Sequence, residues 1–554
     1  MTFGSSASTE NQATKAHQPG GRQVGGGADR HRRLAGAPAK ATVREWLGLA
    51  VLCLPTMLAA VDVNITFLAL PHLSADLGAS STQQLWISDV YGFLIAGFLI
   101  TAGNLGDRIG RRTVLLGGAA LFLVASIAAA YAVSPEMLVA ARAVLGVAGA
   151  TLIPSVLALL REMFQDPRQM GAAMGAWGTS LMAGMVLGPV IGGLLLDSFW
   201  WGSIFLMAVP VMALLLLTAP LLVPDSRDPA ARRLDLISVV LSVAAALPFI
   251  YGVKTLARDG WDVAAVVALI AGLCCAVWFV LRQRRVSNPL LDLSLFSNRA
   301  LSTTLVLALL IAFVMGGVGL MGTLYLQLVA GRSPFETGLW LLLPSAVMII
   351  VGNLAPAIAR KVRPAYVLMT GSIVAAAGMV VLTQVPATSG LTILLAGITI
   401  VYVGGAAVGP MAPFLVMSSA PPQKAGAAGS LASTAGELGV ALGVAILGVI
   451  GGAVYRNQVE VPGGVPHNAA AAAHDSITGA VTVVPGLPAD AGAALLTSAR
   501  TAFTDGLHII AIVSVVIFVV LAVVARLGLG HLPSLGDMPM PGTAADADRA
   551  PAGR

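Results

Sequence analysis

Gly103-Asn104-Leu105-Gly106-Asp107-Arg108-Ile109-Gly110-Arg111-Arg112 separates two long apolar runs, and its composition decides what those runs are. A short, glycine-rich, charged decapeptide between apolar stretches is a hairpin joining two membrane spans on the side where basic residues collect. Its glycines let two helices approach closely, as small residues do wherever helices pack in lipid. Asp107, Arg108, Arg111 and Arg112 can pair across the hairpin or reach the ends of neighbouring helices, where charge meets the helix dipole.

The rest of the chain agrees with that reading. Charged residues make up 10% of the 554 positions and apolar residues 57%, against roughly 25% and 45–50% in soluble domains. Mean hydropathy is +0.87, so most of the chain belongs in a bilayer. The net charge of +6 does not mark a nucleic-acid binder, because the basic residues sit between apolar runs rather than on one soluble face. Cys53, Cys274 and Cys275 lie inside apolar runs, which predicts packing roles and neither a disulfide nor a metal site. Residues 1–44 are polar and glycine-rich and lack the apolar core of a signal peptide, so they read as a disordered cytoplasmic tail.

A spanning helix needs about 20 mostly apolar residues. Fourteen such runs are present, near 46–70, 84–103, 113–133, 136–160, 170–196, 201–223, 234–254, 262–281, 301–328, 336–359, 365–385, 390–418, 428–454 and 504–526. Glycines interrupt the ninth and twelfth. With the N-terminus inside, 26 of the 32 lysines and arginines fall on the inner side and Arg142 within a span. That asymmetry puts both termini in the cytoplasm, and the expected setting is the inner membrane of a bacterium. The 455–503 segment is an unusually long outer loop, broken by proline and glycine, with Pro488 to Thr504 able to form an outer helix.

The decapeptide resembles the signature loop between the second and third spans of major facilitator transporters; Gly103, Leu105, Asp107, Arg108, Gly110, Arg111 and Arg112 all match. The resemblance implies an all-α membrane fold of two six-helix bundles, residues 45–225 and 299–530. Two inserted helices, within 226–298, would bring the total to fourteen, and 531–554 would be a second cytoplasmic tail. Residues 60–71 (AVDVNITFLALP) resemble the first-span signature of the fourteen-span drug:proton antiporter branch through Asp62, Ala69, Leu70 and Pro71. Asn64 departs from the usual asparagine position, as in exporters of quaternary ammonium compounds and dyes. Leu85 to Tyr91 (LWISDVY) resembles the second-span segment of the same exporters. Gly184, Gly188, Pro189, Gly192 and Gly193 match the antiporter motif of drug-exporting facilitators, which implies export rather than uptake. Physically, Gly188 and Pro189 together remove bulk and a backbone donor, favouring a kink and close helix contact.

Four charged residues inside spans carry the candidate chemistry. A carboxylate in a span costs a few kcal/mol and is a functional-site hypothesis by default. Asp62 is read as a proton-coupling or cation-binding group. Asp89, nearer the outer edge, is either solvated in a vestibule or a receiver of protons and cationic drugs, while Trp86 reads as an interface anchor. Arg142, with Gly146 in the R-x-x-x-G pattern, cannot shed its proton and needs a partner, for which Asp62 and Asp89 are candidates. Glu437 lies mid-span on a helix read as free of lysine and arginine, so it needs a proton or a cationic ligand. It is assigned to substrate recognition or proton carriage.

The expected activity is proton-coupled export of lipophilic, cationic drugs by alternating access, with protons, small molecules and lipid as partners, no cofactor, no nucleic acid, and a monomeric state. The alternative is a dedicated exporter of one endogenous metabolite, self-made antibiotic or lipid on the same fold. An enzyme is disfavoured by the lack of Asp-rich metal-diphosphate motifs and of ligand-like histidine spacing. The chain has no G-x-x-x-x-G-K-[ST] loop for ATP, so an ion gradient or another subunit must drive transport.

Overall fold

Ser and Thr caps, proline starts and glycine stops divide the apolar sequence into long helices. The computed structural model describes residues 41–225, 235–259, 261–286, 293–419, 425–463 and 465–535. The expected tails, through residue 40 and from residue 536, lie outside them, and there is no strand among the described residues. Thr42 and Glu45 form a capping box at the start of α1 (Val43–Leu77), and Ser80 and Gln83 form another at α2 (Ser81–Ile109). These boxes satisfy amide groups that would otherwise be orphaned at a helix start. After α3 (Arg111–Ala130) come α4 (Pro135–Met163), α5 (Pro167–Ser198) and α6 (Ala208–Leu222). Next are α7 (Leu236–Asp259) and α8 (Val263–Arg285). The C-terminal part holds α9 (Arg299–Leu324), α10 (Pro334–Ala359), α11 (Pro364–Leu382), α12 (Leu391–Gly405), α13 (Val408–Ser419) and α14 (Ala425–Gln458). Two short helices, α15 (His467–Asp475) and α16 (Ile477–Val483), precede α17 (Ala489–Leu529).

Helix pairing exposes a repeat that composition hides. Among α1–α6, the first helix packs on the fifth and sixth, the second on the fourth, and the third on the fourth and sixth. The same pattern recurs in α9–α12, α14 and α17: α9 on α14 and α17, α10 on α12, and α11 on α12 and α17. Helices α7 and α8 stand outside both sets, pack on each other, and reach the rest through α7, which touches α2 and α14. The two sets meet along α2 with α14 and α5 with α10.

Twelve helical stretches among the described residues are long and apolar enough to cross a membrane. Two of the fourteen expected spans are not in that group. These two, α2 and α7, are nevertheless continuous helices of 29 and 24 residues, α2 carrying the polar residues Gln83, Gln84, Ser88 and Asp89 towards its start. Ile87 to Tyr91 of α2 are all buried, so protein rather than lipid surrounds that part of the helix. On α8, by contrast, Val267, Ile270, Leu273, Val277 and Trp278 are exposed, as lipid-facing side chains must be.

The glycine-broken runs resolve into specific irregularities. The ninth ends in a π turn, Tyr325–Val329, and the twelfth splits into α12 and α13 at Ala406–Ala407. The long loop is largely helical. Its first part forms α15 and α16, while the helix expected from Pro488 is continuous with the last span, giving the 41-residue α17. We call the end that carries α15 and α16 the cap end, and the end that carries the α2–α3 junction the hairpin end. Polar ties between the two sets sit towards the cap end. Gln327 Nε2 donates to the Leu68 carbonyl at 2.9 Å, and Ser333 donates to Asp197 at 3.1 Å. Asp475 of α15 accepts from the Ser81 amide at 2.7 Å and the Ser81 hydroxyl at 3.0 Å.

Candidate functional site

Arg142 is the most constrained side chain at the centre of the α1–α6 set. It is only 1% exposed, and a guanidinium in such a place must direct its donors to the protein. Nη1 donates to Asp62 Oδ2 at 2.5 Å, and Nε donates to the Ile87 carbonyl at 3.1 Å. The guanidinium also lies over the Tyr91 ring, 4.6 Å from its centroid. Three helices therefore converge on one cation: α1 through Asp62, α2 through Ile87 and Tyr91, and α4 through Arg142 itself.

The R-x-x-x-G pattern has a geometric cause. Gly146 lies one turn from Arg142, and a methyl group there would sit 2.6 Å from the Tyr91 carbonyl oxygen. Only hydrogen at that position lets α2 come close enough to slide Tyr91 beneath the guanidinium. A methyl at Gly149, one turn further, would meet the Tyr91 hydroxyl at 3.2 Å. The ring thus lies along α4 from Arg142 towards the hairpin end. Among the described residues its buried hydroxyl has no hydrogen-bond partner.

Asp89 belongs to a different face. Two residues along a helix amount to about 200° of rotation, so Asp89 points away from the stripe of Ile87 and Tyr91. It shares its stripe with Trp86 and Phe93, and Phe93 clusters with Ile250 of α7 and Ala441 and Ala445 of α14. At 1% exposure Asp89 is not solvated in a vestibule. Trp86 packs against the same cluster instead of serving only as an interface anchor. Helical phase explains why Arg142 pairs with Asp62.

Glu437 lies on α14 where that helix crosses α2. A methyl at Gly92 would sit 3.1 Å from Ala441 Cβ and 3.9 Å from the Glu437 carbonyl oxygen. Tyr91 is within electrostatic reach of Asp62, Arg142 and Glu437. One expectation is corrected: α14 extends to Gln458 and carries Arg456 in its last turn. Nineteen residues separate it from Glu437, about 28 Å along the axis, too far for the two to pair.

The antiporter motif lies between the two sets. Gly184 and Gly192 face α1, where methyl groups would lie 2.4 Å from the Met57 carbonyl oxygen and 2.3 Å from Ile65 Cγ1. Gly193 faces α10, with a methyl 2.4 Å from Phe335 Cα, and the Pro189 carbonyl would meet a methyl on Gly338. Gly188 is buried beside Pro189. Pro189 also borders a cavity lined by Phe67 and Leu68 of α1, Thr323 of α9, Ser345 of α10 and Tyr402 of α12.

At the hairpin end the decapeptide closes on a single residue. Gly110 ends α2 and precedes α3 with φ +109°, and its amide donates to the Gly106 carbonyl at 3.0 Å. That φ favours glycine. Arg108 is exposed, Arg111 packs along Gly106, and Gly103 lies beside Pro154; the Asp107 side chain is outside the described set. Arg112 caps the end of α6, donating to the Pro220 and Val223 carbonyls at 3.2 and 3.1 Å and pairing with Asp225 at 3.7 Å. Cations are favoured at helix C-termini, where carbonyls are left unpaired. Before α7, Asp235 accepts from Arg282 at 2.8 Å. Hydrogen bonds from Arg282 hold that carboxyl down at about 2.

Two repeated six-helix sets, the first with an ion pair buried inside it, define a polytopic membrane transporter. The chain belongs to the major facilitator superfamily, whose sequence profile, described as Major Facilitator Superfamily, matches residues 52–444. It is 39% identical over 504 residues to the multidrug efflux pump LfrA of Mycolicibacterium smegmatis, covering 90% of this chain and 98% of that protein. It is 31% identical over 469 residues to the methyl viologen resistance protein SmvA of Salmonella typhimurium, covering 83% and 93%. Among solved structures, a bacterial homologue of the human lysosomal transporter Spinster, inward-facing and unoccupied, shares the fold. Its TM-score is 0.60 at 15% identity, covering 88% of this chain and 97% of that one.

Proposed function

We propose that the protein is a proton-coupled multidrug efflux antiporter that exports lipophilic cations, such as quaternary ammonium compounds, dyes and antibiotics, by alternating access. Its setting is a bacterial cytoplasmic membrane, crossed fourteen times, with the hairpin end and both termini in the cytoplasm. The observation that carries the reading is the buried Asp62–Arg142 pair in one set, together with Glu437 on α14 where that helix of the other set packs against α2. A cation fixed beside a carboxylate can be exchanged against a proton, and a second carboxylate nearby can receive a cationic substrate. The names of the two relatives, a multidrug efflux pump and a methyl viologen resistance protein, support drug export and a positively charged cargo.

In this cycle a lipophilic cation enters from the cytoplasm or the inner leaflet and lodges between the two sets near Glu437. The antiporter motif between α1, α5 and α10 lets those helices slide without side chains in the way. The ties Gln327–Leu68, Ser333–Asp197 and Ser81–Asp475 form the extracellular barrier and break when the pump opens outward. Protons arriving from outside protonate Asp62, Glu437 or both and displace the drug. The hairpin residues Gly103, Asp107, Arg108, Gly110, Arg111 and Arg112 form the switch that locks the cytoplasmic side. One charge crossing 100 mV is worth about 2.3 kcal/mol. A force of about 150 mV therefore gives roughly 3.5 kcal/mol per proton, enough for a gradient of roughly 300-fold.

Ethidium transport into energised inverted vesicles tests the proposal. Wild type should accumulate the dye, a protonophore should abolish the accumulation, and Asp62→Asn should reduce it to the empty-vesicle level. Correctly inserted wild-type protein that moves no lipophilic cation would contradict the multidrug reading.

A further inference from the structure

A proton landing on Asp62 creates a problem that the ion pair alone does not solve. Once the carboxyl is neutral, Arg142 remains charged in a site only 1% exposed, with only neutral acceptors left to it, the protonated Asp62 and the Ile87 carbonyl at 3.1 Å. An unpaired buried cation is strongly unfavourable, so the proton would be rejected unless something else holds the guanidinium. The Tyr91 ring face, 4.6 Å from it, is in place.

Two further features identify the ring as the part of Tyr91 in use. Its hydroxyl is buried with no hydrogen-bond partner among the described residues, whereas a tyrosine kept for its hydroxyl would have that group bonded. And Gly146 lets the α2 backbone close on α4 at Tyr91, where a methyl group would meet the Tyr91 carbonyl oxygen at 2.6 Å, so the packing seats the residue beside Arg142 without engaging its hydroxyl in a hydrogen bond.

We propose that Tyr91 is a positioning residue for proton coupling: its ring face is the standby partner that holds Arg142 while Asp62 carries the proton. This inference rests on the reading of Asp62 as a proton-coupling group. Other charged groups surround the site. Glu437 of α14 acts on Tyr91 from across the seam, and Asp89 lies on the opposite face of α2. His72 of α1 and Asp197 of α5 interact near the cap end, and α7, which packs on α2, includes Lys254, whose side chain lies outside the described residues. None of these offers Arg142 an aromatic face.

The test is the binding of tetraphenylphosphonium to the purified full-length protein as a function of pH, where protons compete with the cation. Tyr91→Phe keeps the ring and should reproduce the wild-type midpoint. Tyr91→Leu keeps bulk without a π face and should move the midpoint down by about one pH unit, a tenfold weaker proton affinity. A role in packing alone would change affinity or yield and leave the midpoint in place. If Tyr91→Leu fails to fold, fluorinated phenylalanines at position 91 preserve shape while weakening the ring face, and the midpoint should fall step by step with fluorination. An unmoved midpoint in Tyr91→Leu or across the fluorinated series overturns the inference, as does a Phe variant shifted as far as Leu. An Asp62→Asn protein with an unaltered midpoint would instead overturn the coupling reading itself, which keeps the two failures distinct.

Discussion

The two six-helix sets share a scaffold and differ at their centres. In the first, Arg44 at the start of α1 and Arg112 at the start of α3 both donate to carbonyls at the end of α6. In the second, Arg299 at the start of α9 donates to the Leu527 carbonyl of α17 at 3.0 Å, and Arg363 before α11 donates to the Gly530 carbonyl just beyond it at 3.5 Å. First and third helices clamp the end of the sixth in both. Inside, the likeness stops. The first set buries a complete ion pair shielded by Tyr91; in the second, α9 has no charged residue beyond Arg299, α12 has none, and α14 brings Glu437 to the seam. The repeated part builds the machine. The unrepeated part distinguishes the halves: a paired cation in one and a carboxylate on the helix at the seam in the other.

Breaking the ion pair should produce the largest effect. Arg142→Leu leaves Asp62 buried without its cation, which costs roughly 3–5 kcal/mol, and transport should vanish along with much of the thermal stability in detergent. Replacing both partners, Asp62→Leu with Arg142→Leu, should restore most of the melting temperature while leaving coupled transport absent. That would separate the stabilising role of the pair from its functional one.

Next in size is the close approach that seats Tyr91. Gly146→Leu drives a side chain into the α2 backbone, an overpacking worth about 1–3 kcal/mol, and should cut ethidium transport at least tenfold. Gly117→Leu on α3, where a methyl would meet nothing within 4 Å, is the matched control and should behave as wild type.

The second set should respond more selectively. Glu437→Gln should weaken the apparent affinity for cationic dyes by about tenfold, a loss of roughly 1.4 kcal/mol, while a neutral lipophilic drug keeps its rate. Equal loss for both cargoes would make Glu437 a structural or proton-carrying group rather than a reader of substrate charge.

Smallest of all is the effect at the inserted pair of helices. The Asp235 carboxyl, pulled down to about 2 by Arg282, stays ionised throughout any transport assay. Its contribution to stability is fully present above about pH 4, the ordinary aspartate value, and is lost only as pH falls through 2. Asp235→Asn should therefore leave the shape of the transport profile between about pH 5 and pH 9 unchanged. A shifted profile would mean that α7 and α8 take part in coupling.

Much of this was legible in the sequence because charge in an apolar run is conspicuous. The decapeptide at Gly103–Arg112, the carboxylate Asp62, the arginine Arg142 and the motif around Pro189 could all be singled out without coordinates. Helical phase could also have separated Asp89 from Arg142, since Ile87 and Tyr91 are four residues apart and Asp89 falls between them. Tyr91 could not be recognised this way. The LWISDVY resemblance includes Tyr91 but gives it no partner, and its contact with Arg142 emerges only where Gly146 brings α2 against α4. The extra status of α7 and α8 was hidden for a similar reason: every span is apolar, and only the pairing pattern shows which two lack a counterpart. Nor did local sequence mark Arg112 and Arg299 as helix caps, because the carbonyls they reach lie more than a hundred residues away in the chain.

Substrate counterflow in proteoliposomes tests the central claim, that the Asp62 centre couples transport to protons while the rest of the fold moves the cargo. Vesicles loaded with unlabelled tetraphenylphosphonium would be diluted into labelled compound, with and without an imposed pH gradient, for wild type and Asp62→Asn. The account predicts that Asp62→Asn still exchanges substrate across the membrane but no longer accumulates it when a pH gradient is imposed. An Asp62→Asn protein that concentrates substrate at the expense of the pH gradient would contradict it.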